Sequence, residues 1–196
     1  MKNIFLTFIL SLSILGQATA QSSNLQRQGT ATQLTVDGKP FLILGGELGN
    51  SSASCQEDIE RIFPKLARMG LNTVLVPAYW DLTEPQKGKF DFSLTEKVIN
   101  QARENNLKVI FLWFGAWKNS MSCYAPLWFK EDYQKYPRSY TENGKPLEIA
   151  SAFSENVFQA DNHAFAEWMK FIANHDKEEG TVIMIQIENE IGMLES

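Results

Sequence analysis

The chain has 196 residues, 44% of them hydrophobic and 21% charged, with a formal net charge of −5. That balance is ordinary for a globular protein and supplies enough chain for a sizeable core, while the acid excess excludes the basic footprint of a nucleic-acid binder. Two cysteines and two histidines, scattered along the chain, do not make a metal site.

Residues 1–20 have the pattern of a secretory signal peptide. Lys2 supplies a positive start, Ile4 to Leu15 forms a short apolar run, and Ala18-Thr19-Ala20 is a small-residue cleavage signal. The run is too short to span a bilayer. The expectation is an exported protein, periplasmic or extracellular, without a membrane span. Such compartments permit disulfides, so Cys55 and Cys123 either pair or remain two separate thiols. Residues 21–33 are polar and read as a flexible, extended N-terminal segment. Residues 34–196 read as one catalytic-type domain.

Within that domain, Leu34 to Pro40 predicts a short hairpin turning at Asp37-Gly38. Phe41 to Leu44 predicts a first strand, ending in Gly45-Gly46. Ser54-Cys55-Gln56-Glu57 has capping-box spacing and predicts a helix to about Met69, which Pro64 should kink or divide. A second strand follows at Thr73 to Pro77. Ser93-Leu94-Thr95-Glu96 is a second capping box, with a helix to about Asn105. Leu107 to Phe114 is nearly all apolar, as a strand buried on both faces should be. Asp161 to about Asp176 has helical periodicity through Phe165, Trp168, Met169 and Ile172. Thr181 to Ile187, rich in β-branched residues, predicts a fourth strand. Alternation along it puts Ile183, Ile185 and Ile187 on one face and Met184, Gln186, Glu188 and Glu190 on the other.

Four successive βα units predict an α/β fold with a parallel sheet. Gly45-Gly46-Glu47-Leu48-Gly49 lacks dinucleotide-binding spacing. A (β/α)8 barrel takes about 250 residues, so the chain reads as the first half of a TIM barrel, truncated before the later strands. The gap between the third and fourth strands is about twice as long as the others. Its surplus, roughly 115–160, is an aromatic excursion that either lines a site or packs itself down.

Barrel enzymes place their chemistry at the C-terminal ends of the strands. Glu190 stands at the end of the fourth, where apolar surroundings can raise a carboxyl's pKa and suit it to act as general acid. Asn189 beside it can donate its amide to a substrate hydroxyl. Glu188 and Gln186 lie deeper and read as a hydrogen-bonded structural network. After the second strand, Trp80 and Glu84 suit a sugar, the ring meeting its C–H face and the acid its hydroxyls; the alternative is a turn closed by Pro85. Glu47 is a third acid at the same face, or a local backbone cap. Trp113, Trp117 and Asn119 surround the end of the third strand.

These segments resemble the retaining glycoside hydrolases of clan A, and within it the β-galactosidases of families 35 and 42, over about residues 34–196. Gln186-Ile187-Glu188-Asn189-Glu190-Ile191-Gly192 is similar to the family's strand-four motif. Trp80 to Pro85, with Gly88-Lys89-Phe90-Asp91-Phe92, is similar to its Trp-Asn-x-His-Glu-Pro segment, and Gly45-Gly46-Glu47 to its glycine-acid segment. The resemblance implies retaining hydrolysis of terminal β-D-galactosides. Glu190 would be the acid/base, with Asn189 contacting the sugar and Glu84 near it; Trp80, Glu47, Trp117 and Asn119 stand beside them as substrate-binding candidates at the same face. It implies no metal or cofactor, a β-galactoside or plant-type oligosaccharide as substrate, and a nucleophile at the end of a seventh strand. Asp81 and Thr83 depart from the motif's Asn and His. Trp113 to Asn119 departs from the common family 35 segment with its Ala-Glu pair and looks like a divergent bacterial branch. Other clan A β-glycosidases or β-glycanases, and a non-catalytic exported carbohydrate-binding barrel, share the same outline.

Overall fold

The structure is a computed structural model and describes residues 23–191. The proposed signal peptide, residues 1–20, and Gly192 lie outside the described residues. The chain begins with β1 (Ser23–Gln28), β2 (Ala31–Val36) and β3 (Lys39–Pro40), a small antiparallel sheet in that order. The hairpin at Asp37-Gly38 forms as expected, with Asp37 and Gly38 both at positive φ. The segment read as flexible instead contributes β1, paired to β2 from Ser23↔Val36 to Gln28↔Ala31. Its polar side chains carry no core signal, and its order comes from backbone pairing.

The main body then alternates β4 (Gly45–Glu47), α1 (Gln56–Arg68), β5 (Thr73–Tyr79), the short α2 (Trp80–Thr83), α3 (Ser93–Glu104) and β6 (Lys108–Lys118). It continues with α4 (Leu127–Glu131), a hairpin of β7 (Arg138–Tyr140) and β8 (Pro146–Ala150), then α5 (Glu155–His175) and β9 (Val182–Asn189). The four parallel strands lie in the order β4-β5-β6-β9. Each new strand is added on the same side, without the reversal of a doubly wound sheet, which is the progression of a partial α/β barrel.

Alternation along β6 divides the core. Val109, Phe111 and Trp113 face Ile59, Phe63, Val98, Ile99, Trp168 and Ile172 in the helix layer. Ile110, Leu112 and Phe114 face the other way, clustering with Tyr79, Ile183 and Val36 of the N-terminal sheet. Both faces of β6 are thus buried, as its unbroken apolar run requires.

Several local expectations shift. Phe41 to Leu44 is not a strand. Asn72 ties it down instead, accepting from the Leu44 N–H through Oδ1 at 2.9 Å and donating from Nδ2 to Leu42 O at 2.8 Å; ladder pairing starts only at Gly45↔Thr73. Ser54 does not cap α1 because its hydroxyl donates to Ser51 O, leaving Cys55 as N-cap without a side-chain capping bond. Helix α1 runs through Pro64 undivided, held by the buried Ile59 and Phe63. Ser93 lies inside α3, its N–H taken by Asp91 Oδ1. Helix α5 starts earlier than its apolar periodicity suggests, with the Ser154 side chain accepting from Val157 N–H.

In β9 the simple alternation fails. Val109 pairs with Val182 but Ile110 with Met184, so β9 carries one extra residue. That bulge sends Ile183 to the cluster opposite the helices and Ile185 to the helix layer. A one-residue insertion exchanges the faces of everything after it. Cys55 and Cys123 are separate thiols.

Candidate active site

The C-terminal ends of β6 and β9 meet in a polar corner. There the backbone leaves extended geometry: Asn119 and Ser120 after β6, Glu188 in β9 and Glu190 just past its end all have φ between 53° and 59°. Four non-glycine residues in the left-handed region at one place store conformational strain, and such strain concentrates at functional sites. The two corners are joined, since Ser120 donates to Glu190 O from its N–H at 3.2 Å and from Oγ at 3.1 Å.

Lys118, the last residue of β6, organises the corner. It is almost fully buried, and its ammonium lies 4.9 Å from the Phe114 ring centroid, a cation–π placement. It donates to Asn189 Oδ1 at 2.6 Å and to Asn119 Oδ1. Glu190 Oε2 stands 3.7 Å from Lys118 Nζ, with the Glu190 side chain 42% exposed. Lys118 therefore occupies the amide oxygen of Asn189, which leaves the Nδ2 end as a hydrogen-bond donor. Glu190 presents a reachable carboxyl beside it. Sequence reasoning named Trp117 and Asn119 but missed Lys118; the available signal was a cation closing a strand that is uncharged from Val109 to Trp117.

The other candidates are placed differently. Asn119 is exposed within this corner. Trp117 is anchored beneath it, with Nε1 donating to Ala150 O at 3.0 Å and its backbone N–H to Glu188 Oε2 at 3.0 Å. Glu47 is exposed at the tip of β4. Trp80 and Glu84 do not face the open end in this structure. Both are buried, and Glu84 accepts from Trp80 Nε1 at 2.8 Å and from Gly88 N–H at 2.7 Å. The indole meets Phe129 and Trp128 at ring-centroid distances of 4.9 and 5.8 Å. Burial has turned the pair into a support for the loop after β5, because a carboxylate with two donors in place is satisfied without solvent. Asp81, next to Trp80, has its carboxyl pushed above the ordinary range by burial.

The aromatic excursion divides its rings between the two readings. Trp128, Phe129 and Tyr136 pack on one another, and the first two also on Trp80. Tyr133, Tyr140, Phe153 and Phe158 are exposed. Among the described residues no group of three or more His, Cys, Asp or Glu is arranged to hold a metal ion, and no helix is long and apolar enough to cross a membrane.

Comparison with known proteins agrees with this fold. The family model described as Glycosyl hydrolases family 35 matches residues 33–196. A "Beta-galactosidase" of Xanthomonas manihotis is 29% identical, over 94% of this chain and 30% of its own length. "Beta-galactosidase 11" of Arabidopsis thaliana is 31% identical, over 86% of this chain and 19% of its own. The chain thus spans a third or less of these relatives. The crystal structure of a β-galactosidase from Rahnella sp. R3 superposes with a TM-score of 0.60 at 20% identity, over 78% of this chain and 22% of that one, a likeness of fold.

Proposed function

The chain belongs to glycosyl hydrolases family 35, and from that premise we propose that it serves the retaining hydrolysis of terminal β-D-galactosides, with Glu190 as acid/base. The observation that carries this reading is the corner itself. A solvent-reachable carboxyl and a hydroxyl-binding amide stand at the end of the fourth consecutive parallel strand, organised by one buried lysine.

In this reaction the Glu190 carboxyl protonates the departing glycosidic oxygen. It then takes a proton from the water that releases the sugar. The second carboxylate, the nucleophile, stands about 5–5.5 Å from the first in a retaining pair, and belongs to a strand later than the four described. Asn189 Nδ2 donates to a ring hydroxyl and keeps the sugar in line with Glu190. Lys118 holds that amide in place. The exposed Glu47 and Asn119 supply further hydroxyl partners, and the exposed rings of the excursion supply apolar faces for the rest of a β-galactoside or plant-type oligosaccharide.

The test is hydrolysis of aryl and oligosaccharide β-galactosides by the complete gene product. Changing Glu190 to Gln should cost about 10²–10⁴-fold on natural linkages; unchanged turnover rejects the assignment. Export is inferred from residues 1–20 alone. It predicts a mature N-terminus at Gln21, and recovery of secreted protein that still begins at Met1 would refute it.

A further inference from the structure

Behind the corner lies a pair of acids that the hydrolysis does not use. Glu188 of β9 and Asp161 of α5 are both buried. They meet over Gly115 of β6. A Cβ built on that glycine would lie under 3.0 Å from Asp161 Oδ1, Glu188 Oε1 and Trp113 Nε1. The missing side chain is therefore the space in which two carboxyl oxygens stand side by side.

The groups facing them are neutral donors from β6. Trp113 Nε1 donates to Asp161 Oδ1 at 3.1 Å, and Trp117 N–H donates to Glu188 Oε2. Glu188 Oε1 finds no N–H or O–H donor among the described residues. No ion pair among the described residues includes either carboxyl. Two carboxylates this close, buried and without a cation, cannot both be ionised, and a buried oxygen without a partner is costly.

We propose that Glu188 and Asp161 share one proton in a carboxylic acid–carboxylate hydrogen bond, and that this bond fixes the corner of β9 from which Asn189 and Glu190 project. Glu188 holds the proton on Oε1 and donates it to Asp161 Oδ1. Asp161 keeps the negative charge, stabilised by the Trp113 indole. Both acids are then satisfied, and burial together with the Asp161 charge pushes the Glu188 carboxyl up to about 10. Glu188 itself has φ 59°, so the bond clamps the left-handed residue that starts the corner to the end of β6 and to α5. Glu188 and Asp161 are positioning residues. This part rests on the reading of Glu190 as acid/base; the shared proton does not.

The experiment is infrared spectroscopy of the complete gene product in D2O at about pH 8, where ordinary carboxyls are ionised, paired with kinetics. The wild type should show a protonated-carboxyl C=O stretch that E188Q lacks. E188A should lower kcat by about 10²-fold with little change in KM. E188Q, whose amide donates to Asp161 as the acid did, should recover most of that loss. Absence of the band overturns the shared proton, even if E188A fails to fold. A band with E188Q as impaired as E188A overturns the positioning role. If Glu190 is not the acid/base, E190Q stays active while the band remains, so the two readings fail separately.

Discussion

At the scale of single residues, the corner shows what a motif conceals. Asn189 and Glu190 were legible from their place after a β-branched strand, and Glu188 from the rule that a deeper acid must be bonded. The bonding partners were not legible. Asp161 lies on a helix whose periodicity reports only its apolar stripe, and Gly115 gives no sign in sequence that its missing Cβ makes room for two acids. The pair has a measurable consequence for pH. The folded-state pKa of Glu188 is raised from 4.5 to about 10, so the folded chain holds a proton that the unfolded chain releases. That contribution is fully present below about pH 4.5 and declines as pH rises toward 10. The slope approaches about 1.4 kcal/mol per pH unit. Thermal melts of wild type and E188Q between about pH 5 and 9 should therefore diverge, with the glutamine variant gaining relative stability as pH rises; parallel curves would speak against a proton held at Glu188.

At the scale of elements, strands β5, β6 and β9 and helices α3 and α5 followed from periodicity, because their burial is one-sided or complete and the pattern records it. The losses came where backbone or tertiary bonds replaced patterning. Strand β1 is polar, the bulge in β9 inserts one residue into a regular alternation, and the β7–β8 hairpin has no apolar stripe. The excursion after β6 is pinned by Ser122, a buried residue. Its hydroxyl donates to Ala116 O at 2.7 Å and accepts from Ala150 N–H at 2.8 Å, joining β6 to β8. Ser122→Ala would leave a buried N–H and C=O unpaired, a cost of about 1–3 kcal/mol. The expected outcome is faster limited proteolysis within residues 120–150 with the parallel sheet intact. An unchanged cleavage pattern would mean the hairpin is held by something else, such as the Trp117 indole bond to Ala150 O.

At the scale of the whole molecule, the four described parallel strands leave β4 and β9 as edges. Leu42 and Leu44 beside one edge, and Met184 and Ile187 on the other, are exposed. An open groove of about 460 Å³ runs along the second, lined by Met169, Ile172, Val182 and Ile185 among others. An unpaired edge flanked by apolar surface recruits another strand. Residues 21–196 produced alone should accordingly self-associate, seen as a concentration-dependent mass in light scattering; a stable monomer would show that these edges are closed in a way the sheet does not reveal. In the proposed reaction the nucleophile belongs to a later strand, and the proton donor is the part of that mechanism assigned to these residues. Its most direct test is the leaving-group dependence of Glu190→Gln in the complete gene product. The glycosylation step should fall by about 10²–10⁴-fold on β-galactosides with poor leaving groups and far less on activated aryl β-galactosides, which depart without a proton. Equal losses on both would contradict an acid at position 190.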